Sequence, residues 1–296
     1  MIPTPRPYKG EILTGTLARQ MRYLSLTYAN IRTLIKFPHN PSLGALHSGL
    51  VLYFYNMLDG TVSLREILMQ NTMLPLLMSF DSRKVSEKFV FKFSTPNEVL
   101  KLNYQSQYLN LKKRFCYCPK CFEEQLDKYN ENFWLLEWAI PHVKICIKHD
   151  CPLMQTNIIR NKTTKLYDTT DILLEKNKEL STDKHSILIA KTVHEFLTTD
   201  EIKWHSINEW INYYKKLATN LGYKFYQNKN TLRFKIIGLQ KRIINFWGKD
   251  WIYEHADCFL RDDSTYSTGS WFKNLIILKA LNSGISLLDA ERDLSF

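Results

Sequence analysis

No stretch of this 296-residue chain approaches the roughly 20 consecutive apolar residues a helix needs to cross a bilayer. The longest purely apolar run is Leu50-Val51-Leu52-Tyr53-Phe54-Tyr55. The start, Met1-Ile2-Pro3-Thr4-Pro5-Arg6-Pro7, lacks the charged segment, apolar segment and small-residue cleavage site of a secretory signal, so the sequence predicts a soluble protein in the reducing cytoplasm. There is no G-x-x-x-x-G-K-[ST] loop to cradle phosphates, which argues against ATP hydrolysis. Adjacent carboxylates such as Glu123-Glu124 and Asp262-Asp263 read as solvated loops or helix starts rather than a catalytic pair, so no enzyme is expected. No repeat of fixed period is visible.

Acidic residues are scarce where basic ones gather. The formal charge is +11, while 45% hydrophobic and 13% aromatic content is that of a folded protein. Residues 1 to 40 carry Lys9, Arg19, Arg22, Arg32 and Lys36, with Glu11 the single acid. Residues 221 to 242 carry Lys224, Lys229, Arg233, Lys235, Lys241 and Arg242 without one Asp or Glu, interleaved with Tyr223, Phe225, Tyr226 and Phe234. Cations with aromatic support suit phosphate contacts, the sequence-independent part of affinity for double-stranded DNA. These eleven residues are the candidate phosphate contacts. The bland reading is a solvated helix face.

Five of the six cysteines fall between Cys116 and Cys151. Cys118-Pro119-Lys120-Cys121 is a C-x-x-C knuckle, and Cys146-Ile147-Lys148-His149 repeats the spacing as C-x-x-H. Ligands three apart on a turn converge on one ion, and two such turns complete a tetrahedron, so Cys118, Cys121, Cys146 and His149 predict one structural zinc with no open coordination position. Cys116 or Cys151 could stand in for one of these, and His142 reads as a surface or core histidine. Twenty-four residues separate Cys121 from Cys146, more than a simple ribbon needs, so the excursion carries structure of its own. Phe133, Trp134, Leu135, Leu136 and Trp138 would pack beside the metal, and Val143-Lys144-Ile145 would form a strand delivering the second knuckle.

Along the chain, Ile12, Leu13, Leu17, Met21 and Leu24 predict a first helix, and Thr27 caps a second carrying Ile31, Leu34 and Ile35. The pair permits a helix-turn-helix. A buried helix runs from Ser42 to Met57 and ends at Asp59-Gly60, after which Ser63-Leu64-Arg65-Glu66 is a capping box. Residues 159 to 184 read as a polar linker. A helix follows from Ser186, and another carries Ile207, Trp210, Ile211, Tyr214 and Leu217 until Gly222 terminates it. Leu232, Ile236, Leu239, Ile243 and Ile244 suggest a helical stripe weakened by Gly238; Trp247 and Trp251 suggest a short helix, and Trp271 begins another. The acidic Asp289-Ala290-Glu291-Arg292-Asp293 reads as an exposed end. The fold class is mainly α: an N-terminal helical, helix-turn-helix-like region (1–114), a central zinc finger with a short β element (115–158), the linker (159–184) and a C-terminal helical domain (185–296).

Taken together, these motifs resemble the TniQ/TnsD family of transposon target-selection proteins. The likeness lies in Pro5-Arg6-Pro7-Tyr8-Lys9-Gly10-Glu11 with Ala18-Arg19, in Asn71-Thr72-Met73-Leu74-Pro75, and in Arg114, the two knuckles, Phe133-Trp134, Trp138 and Pro152-Leu153. Trp210, Tyr213-Tyr214, Leu221-Gly222-Tyr223, Phe246-Trp247-Gly248 and Ser270-Trp271 resemble the TnsD branch, of which this chain would be a short or C-terminally truncated member. Many relatives have a further cysteine pair after the C-x-x-H that is absent here. The resemblance implies a non-enzymatic component that marks an insertion site and recruits a TnsC-type AAA+ ATPase, alongside other transposase subunits. Its TnsD-like members read DNA directly; TniQ-like members dock on a CRISPR guide-RNA complex, the alternative role.

Overall fold

A computed structural model describes residues 3–27, 29–30, 48–78, 111–159, 166–172, 177–199, 205, 207–228, 233–260 and 271–294. The chain divides into two compact units, Met1–Leu74 with Lys88–Asp200, and Pro75–Glu87 with Glu201–Phe296. The expected second helix of the N-terminal pair lies outside the described residues, and with it the helix-turn-helix. So do Arg32, Lys36, Lys229 and the first part of the Ser42 helix.

In the first unit, α1 (Leu13–Tyr23) is enclosed rather than amphipathic, with every residue from Leu13 to Gln20 buried. Gly15 permits this: a Cβ there would meet Trp134 Cδ1 at 3.3 Å. The helix stops where Ser25 turns left-handed (φ 51°) and the Leu26 amide returns to the Met21 carbonyl. Thr27 does accept the Asn30 amide through Oγ1, as an N-cap would. α2 (Ser48–Met57) ends before the left-handed pair Asp59 and Gly60. α3 (Leu64–Asn71) is capped by Ser63 Oγ on the Glu66 amide, but the Glu66 carboxylate accepts from Arg6 rather than closing the expected box. A single-turn helix, α4, spans Leu74–Met78, at the point where the chain passes from the first unit to the second.

The segment before α1 is threaded between α3 and the cysteine region. Asn71 Nδ2 donates to the carbonyls of Tyr8 (2.7 Å) and Glu11 (2.9 Å), the Ile12 amide donates to the Trp134 carbonyl, and the Leu136 amide to that of Gly10. These bonds satisfy backbone that burial would otherwise leave unpaired.

β1 (Arg114–Tyr117) leads directly into α5 (Pro119–Tyr129), with Pro119 in the first turn, where its missing amide is no loss, and left-handed Asn130 ending it. A short α6 (Leu136–Ala139) follows, then the two-residue strands β2 (Ile145–Cys146) and β3 (Cys151–Pro152), which pair with each other. β4 (Met154–Ile159) returns antiparallel to β1, and β5 (Lys178–Glu179) pairs with β4, giving a three-stranded sheet ordered β1-β4-β5.

The described parts of the expected linker, residues 166–172 and 177–184, pack against the first unit. β5 adds to the sheet, Trp134 Nε1 donates to the Tyr167 carbonyl (3.0 Å), and Thr169 Oγ1 donates to that of Asn132 (3.0 Å). The next helix, α7 (Ser186–Thr198), packs near α3, α6 and β2, so the boundary falls at residue 200 and α7 belongs to the first unit. Low hydropathy is a poor guide here because backbone hydrogen bonds hold the segment alongside a few apolar contacts, buried Leu166 and the Tyr167 ring against Phe115.

The second unit is built on α8 (Ile207–Asn220), whose Trp210, Ile211 and Tyr214 are wholly buried. Gly222 (φ 77°) ends it, with the Tyr223 amide returning to Ala218. The expected stripe over Leu232–Ile244 is corrected: β6 (Phe225–Asn228) and β7 (Arg233–Ile236) form an antiparallel hairpin, and only then does α9 (Leu239–Trp247) begin. Gly238 is not an interior helix weakness but the joint, at φ 87°. α10 (Lys249–Ala256) and α11 (Trp271–Leu281) follow, and Tyr214 Oη donates to Asn274 Oδ1 (2.7 Å) while Trp247 Nε1 donates to the Ile276 carbonyl (3.2 Å). The acidic end is a short helix, α12 (Leu287–Asp293), capped by Ser286 and anchored by buried Leu287, Leu288 and Ala290.

Candidate metal centre and basic surfaces

Cys118 follows β1 and is the N-cap of α5; Cys121 lies in the first turn of that helix. The first knuckle is thus a strand-to-helix junction. The second is the β2–β3 hairpin turn, where Asp150 adopts φ 46° and His149 turns back towards Cys146. The twenty-four-residue excursion between them is α5, α6 and the aromatic wall: Trp134 and Trp138 are buried, and both lie against Phe122 with ring centroids 5.9 and 5.7 Å away.

The four donor atoms of Cys118, Cys121, Cys146 and His149 fall within 4.8 Å of one another, a group able to hold one metal ion. His149 Nδ1 is 3.4 Å from Cys118 Sγ, 3.3 Å from Cys121 Sγ and 3.7 Å from Cys146 Sγ, and the sulfurs of Cys121 and Cys146 are 3.6 Å apart. A tetrahedron with metal–sulfur bonds of about 2.3 Å and a metal–nitrogen bond of about 2.0 Å has edges of about 3.5 to 3.8 Å. The donor set fits. The opposite ring nitrogen, Nε2, lies 3.1 Å from Glu124 Oε1, and Lys148 Nζ pairs with the other oxygen of the same carboxylate. This leaves Nδ1 turned towards the three sulfurs, the carboxylate–histidine arrangement found behind many metal ligands.

The electrostatics agree with the geometry. Three thiols this close cannot all ionise without a cation. Hydrogen bonds from Cys118 and Cys121 hold the Cys146 thiol down to about 3 against the cost of burial, while the bonds to Cys118 and Cys146, with burial, push Cys121 upward. A bound cation would replace those shared protons and let every sulfur carry charge. Cys116 is buried on β1 with its sulfur directed at the Arg114 carbonyl (3.7 Å), outside the donor group. Glu124 went unrecognised in the sequence; its position three residues after Cys121, on the same helix face, is the signal that could have exposed it.

The candidate phosphate contacts separate into distinct classes. Arg19 is corrected: it is 2% exposed, its Nε and Nη2 donate to Glu11 Oε1 and Oε2 (both 2.8 Å), and Nη1 donates to Glu131 Oε1 (2.5 Å). Arg22 likewise pairs with Glu131 (2.8 Å) and Asp168 (3.1 Å). Part of the basic excess of the first forty residues is thus matched by carboxylates from far along the chain. Burial pushes the Glu11 carboxyl up, opposed by Arg19's charge and hydrogen bonds; burial also works against Arg19, but Glu11 and Glu131 more than offset it, so the guanidinium stays protonated. For Glu131, burial is outweighed by hydrogen bonds from Tyr23 and Tyr8 and by the charges of Arg19 and Arg22, which lower its carboxyl.

Lys9 is exposed beside a cleft of about 220 Å³ shared with Arg65. In the second unit Lys224 and Lys241 are exposed, and Lys235 is half-buried opposite Tyr226 on the hairpin, with Tyr226 itself 56% exposed. Arg233 occupies β7 opposite Asn228. Arg242 is half-buried; its Nε donates to the Ala280 carbonyl and its Nη2 to that of Leu281 (3.5 Å), satisfying orphan acceptors at the end of α11.

No helix among the described residues is long and apolar enough to cross a membrane. Residues 2–153 match the sequence profile of the family described as TniQ, a span that takes in α1, both knuckles and the aromatic wall. The Escherichia coli transposon Tn7 transposition protein TnsD is 24% identical over 236 residues, covering 74% of this chain and 44% of TnsD. The chain spans less than half the length of that relative. With more than half its residues matched by the profile and the paired knuckles inside the match, the chain belongs to the TniQ/TnsD family.

Proposed function

We infer that this protein selects the target site of a transposon: it binds DNA, marks the insertion position and recruits a TnsC-type AAA+ ATPase without catalysing a reaction itself. The observation that carries the reading is the family match over residues 2–153, which encloses the Cys3His group. Zinc is the metal that three thiolates and one imidazole suit best, and a closed tetrahedral set favours a structural role. It would join the helix that begins at Cys118 to the hairpin of β2 and β3, and so hold the N-terminal segment that hydrogen-bonds to this region.

DNA contact is assigned to Lys9 in the first unit and to Lys224, Lys235 and Lys241 in the second, with Arg233 on the same hairpin as Lys235. Arg19 and Arg22 drop out, since carboxylates already pair with their charges, and Arg242 because its guanidinium is committed to the carbonyls of Ala280 and Leu281. A mobility assay on random and enriched duplex pools, with metal content measured on the same sample, tests the reading. Selection of a discrete motif at one zinc per chain supports a site reader. Binding without any sequence preference, together with capture of a guide-RNA complex, would instead make the protein an adaptor of the TniQ kind.

A further inference from the structure

The two knuckles offer five donors for four places. Cys151 is the Cα partner of Cys146 in the β2–β3 hairpin, and its Sγ lies 3.5 Å from Cys118 Sγ. That spacing is again the length of a tetrahedral edge around zinc. His149 Nδ1 is within 3.7 Å of all three buried sulfurs, which makes Cys3His the resting set and leaves Cys151 next to one corner of it, Cys118. The three ligating cysteines are buried, whereas Cys151 is partly exposed. His149 is the arm that opens most readily: its outer nitrogen is held by Glu124, whose side chain is 47% exposed.

We propose that Cys151 is a reserve ligand of the centre. When His149 leaves the metal, the Cys151 thiolate takes the fourth position and completes a four-thiolate set, which zinc accepts as readily as Cys3His. The exchange is balanced without an oxidant. The metal–Nδ1 bond breaks and a metal–sulfur bond forms; the Cys151 proton passes to solvent or to the freed imidazole. The centre therefore keeps its ion, and the segment threaded against it keeps its anchor, through loss of its most exposed ligand. This inference rests on reading the group as a zinc centre and deepens that reading.

The test uses the full chain as purified, then exchanged with Co2+, in four forms: wild type, Cys151→Ser, His149→Ala and the double variant. Metal stoichiometry and the thiolate-to-cobalt charge-transfer absorption are read together. Wild type and Cys151→Ser should bind one ion with the same spectrum. His149→Ala should still bind one ion, with stronger charge-transfer absorption because a fourth thiolate has joined, and the double variant should lose it. A His149→Ala protein that is metal-free, or whose ion shows no added thiolate character, overturns the reserve role, as does loss of metal from Cys151→Ser. Wild type without metal removes the zinc reading itself, a distinguishable failure. Should His149→Ala not fold, Glu124→Ala frees the histidine arm from outside: maleimide labelling of Cys151 in the zinc-loaded protein should then slow relative to wild type, and an unchanged rate counts against the proposal.

Discussion

Arg19 Nη1 and Glu131 Oε1 lie 2.5 Å apart across 112 residues of chain, and the same guanidinium holds both oxygens of Glu11. Helix α1 and the loop after α5 are joined by this one side chain. Breaking a buried pair by removing one partner costs about 3–5 kcal/mol, because the other charge stays buried and uncompensated. Arg19→Met should lower stability by that order in a denaturant titration, and Arg19→Met with Glu11→Leu should recover part of the loss. A single-variant cost under about 1 kcal/mol, the worth of an exposed pair, would refute the role.

Acid should loosen the same unit. Glu131's carboxyl is lowered in the folded state, so its contribution is complete above the unfolded value near 4.5 and is lost as pH falls through the lower folded value. The melting temperature of wild type should drop relative to Glu131→Gln as pH is lowered through that window, and the two should converge in strong acid. Glu11 is retained in both proteins but shares Arg19 with Glu131, so the difference reports the titration of the shared cluster.

Removal of metal should unfold the region around α5 and the β2–β3 hairpin, because ligand binding free energy there is folding free energy. Cys118→Ser combined with Cys151→Ser takes away the sulfur at the strand-to-helix junction and the one beside it, and should bind no ion in an assay of zinc per chain. Glu124→Gln keeps every ligand but weakens the hydrogen bond behind His149, and should reduce metal affinity about 10- to 100-fold in a chelator competition.

Charge reversal at Lys224 and Lys241 should weaken DNA binding for all sequences alike. For every phosphate no longer neutralised, the slope of log affinity against log salt should become shallower by about 0.9. An unchanged slope would remove these residues from the interface. Arg242→Glu is a different experiment: it leaves the Ala280 and Leu281 carbonyls unsatisfied and should lower stability before it lowers affinity.

Gly238→Ala should destabilise the second unit by about 1 kcal/mol or more, since φ 87° is unfavourable for any residue with a Cβ and the added carbon would lie 3.1 Å from Tyr223. Thermal melting checks it; no change would mean that the hairpin-to-helix joint relaxes freely.

Much of the candidate centre was legible from spacing alone, since residues three apart on a turn must face the same way. Cys118 with Cys121 and Cys146 with His149 are such pairs, and so local geometry already selected the four donors. A helix with a strong 3.6-residue apolar period, such as α8, was legible for the same reason: the period records which face is buried. The β6–β7 hairpin was not. Phe234 and Ile236 alternate with their neighbours over only four residues, too short a pattern to outweigh the helical spacing that Leu239 and Ile243 extend backwards.

What the sequence determined by itself was therefore the local chemistry: the paired knuckles, the helix caps and the excess of positive charge. Only tertiary structure decided how that charge is used. Whether an arginine faces solvent depends on which distant carboxylates the fold brings to it, and Glu131 and Asp168 reach Arg19 and Arg22 through contacts that no local period encodes. The same holds for Glu124 and Cys151 at the metal: their roles follow from separations of 3.1 and 3.5 Å set by chain segments that meet in space.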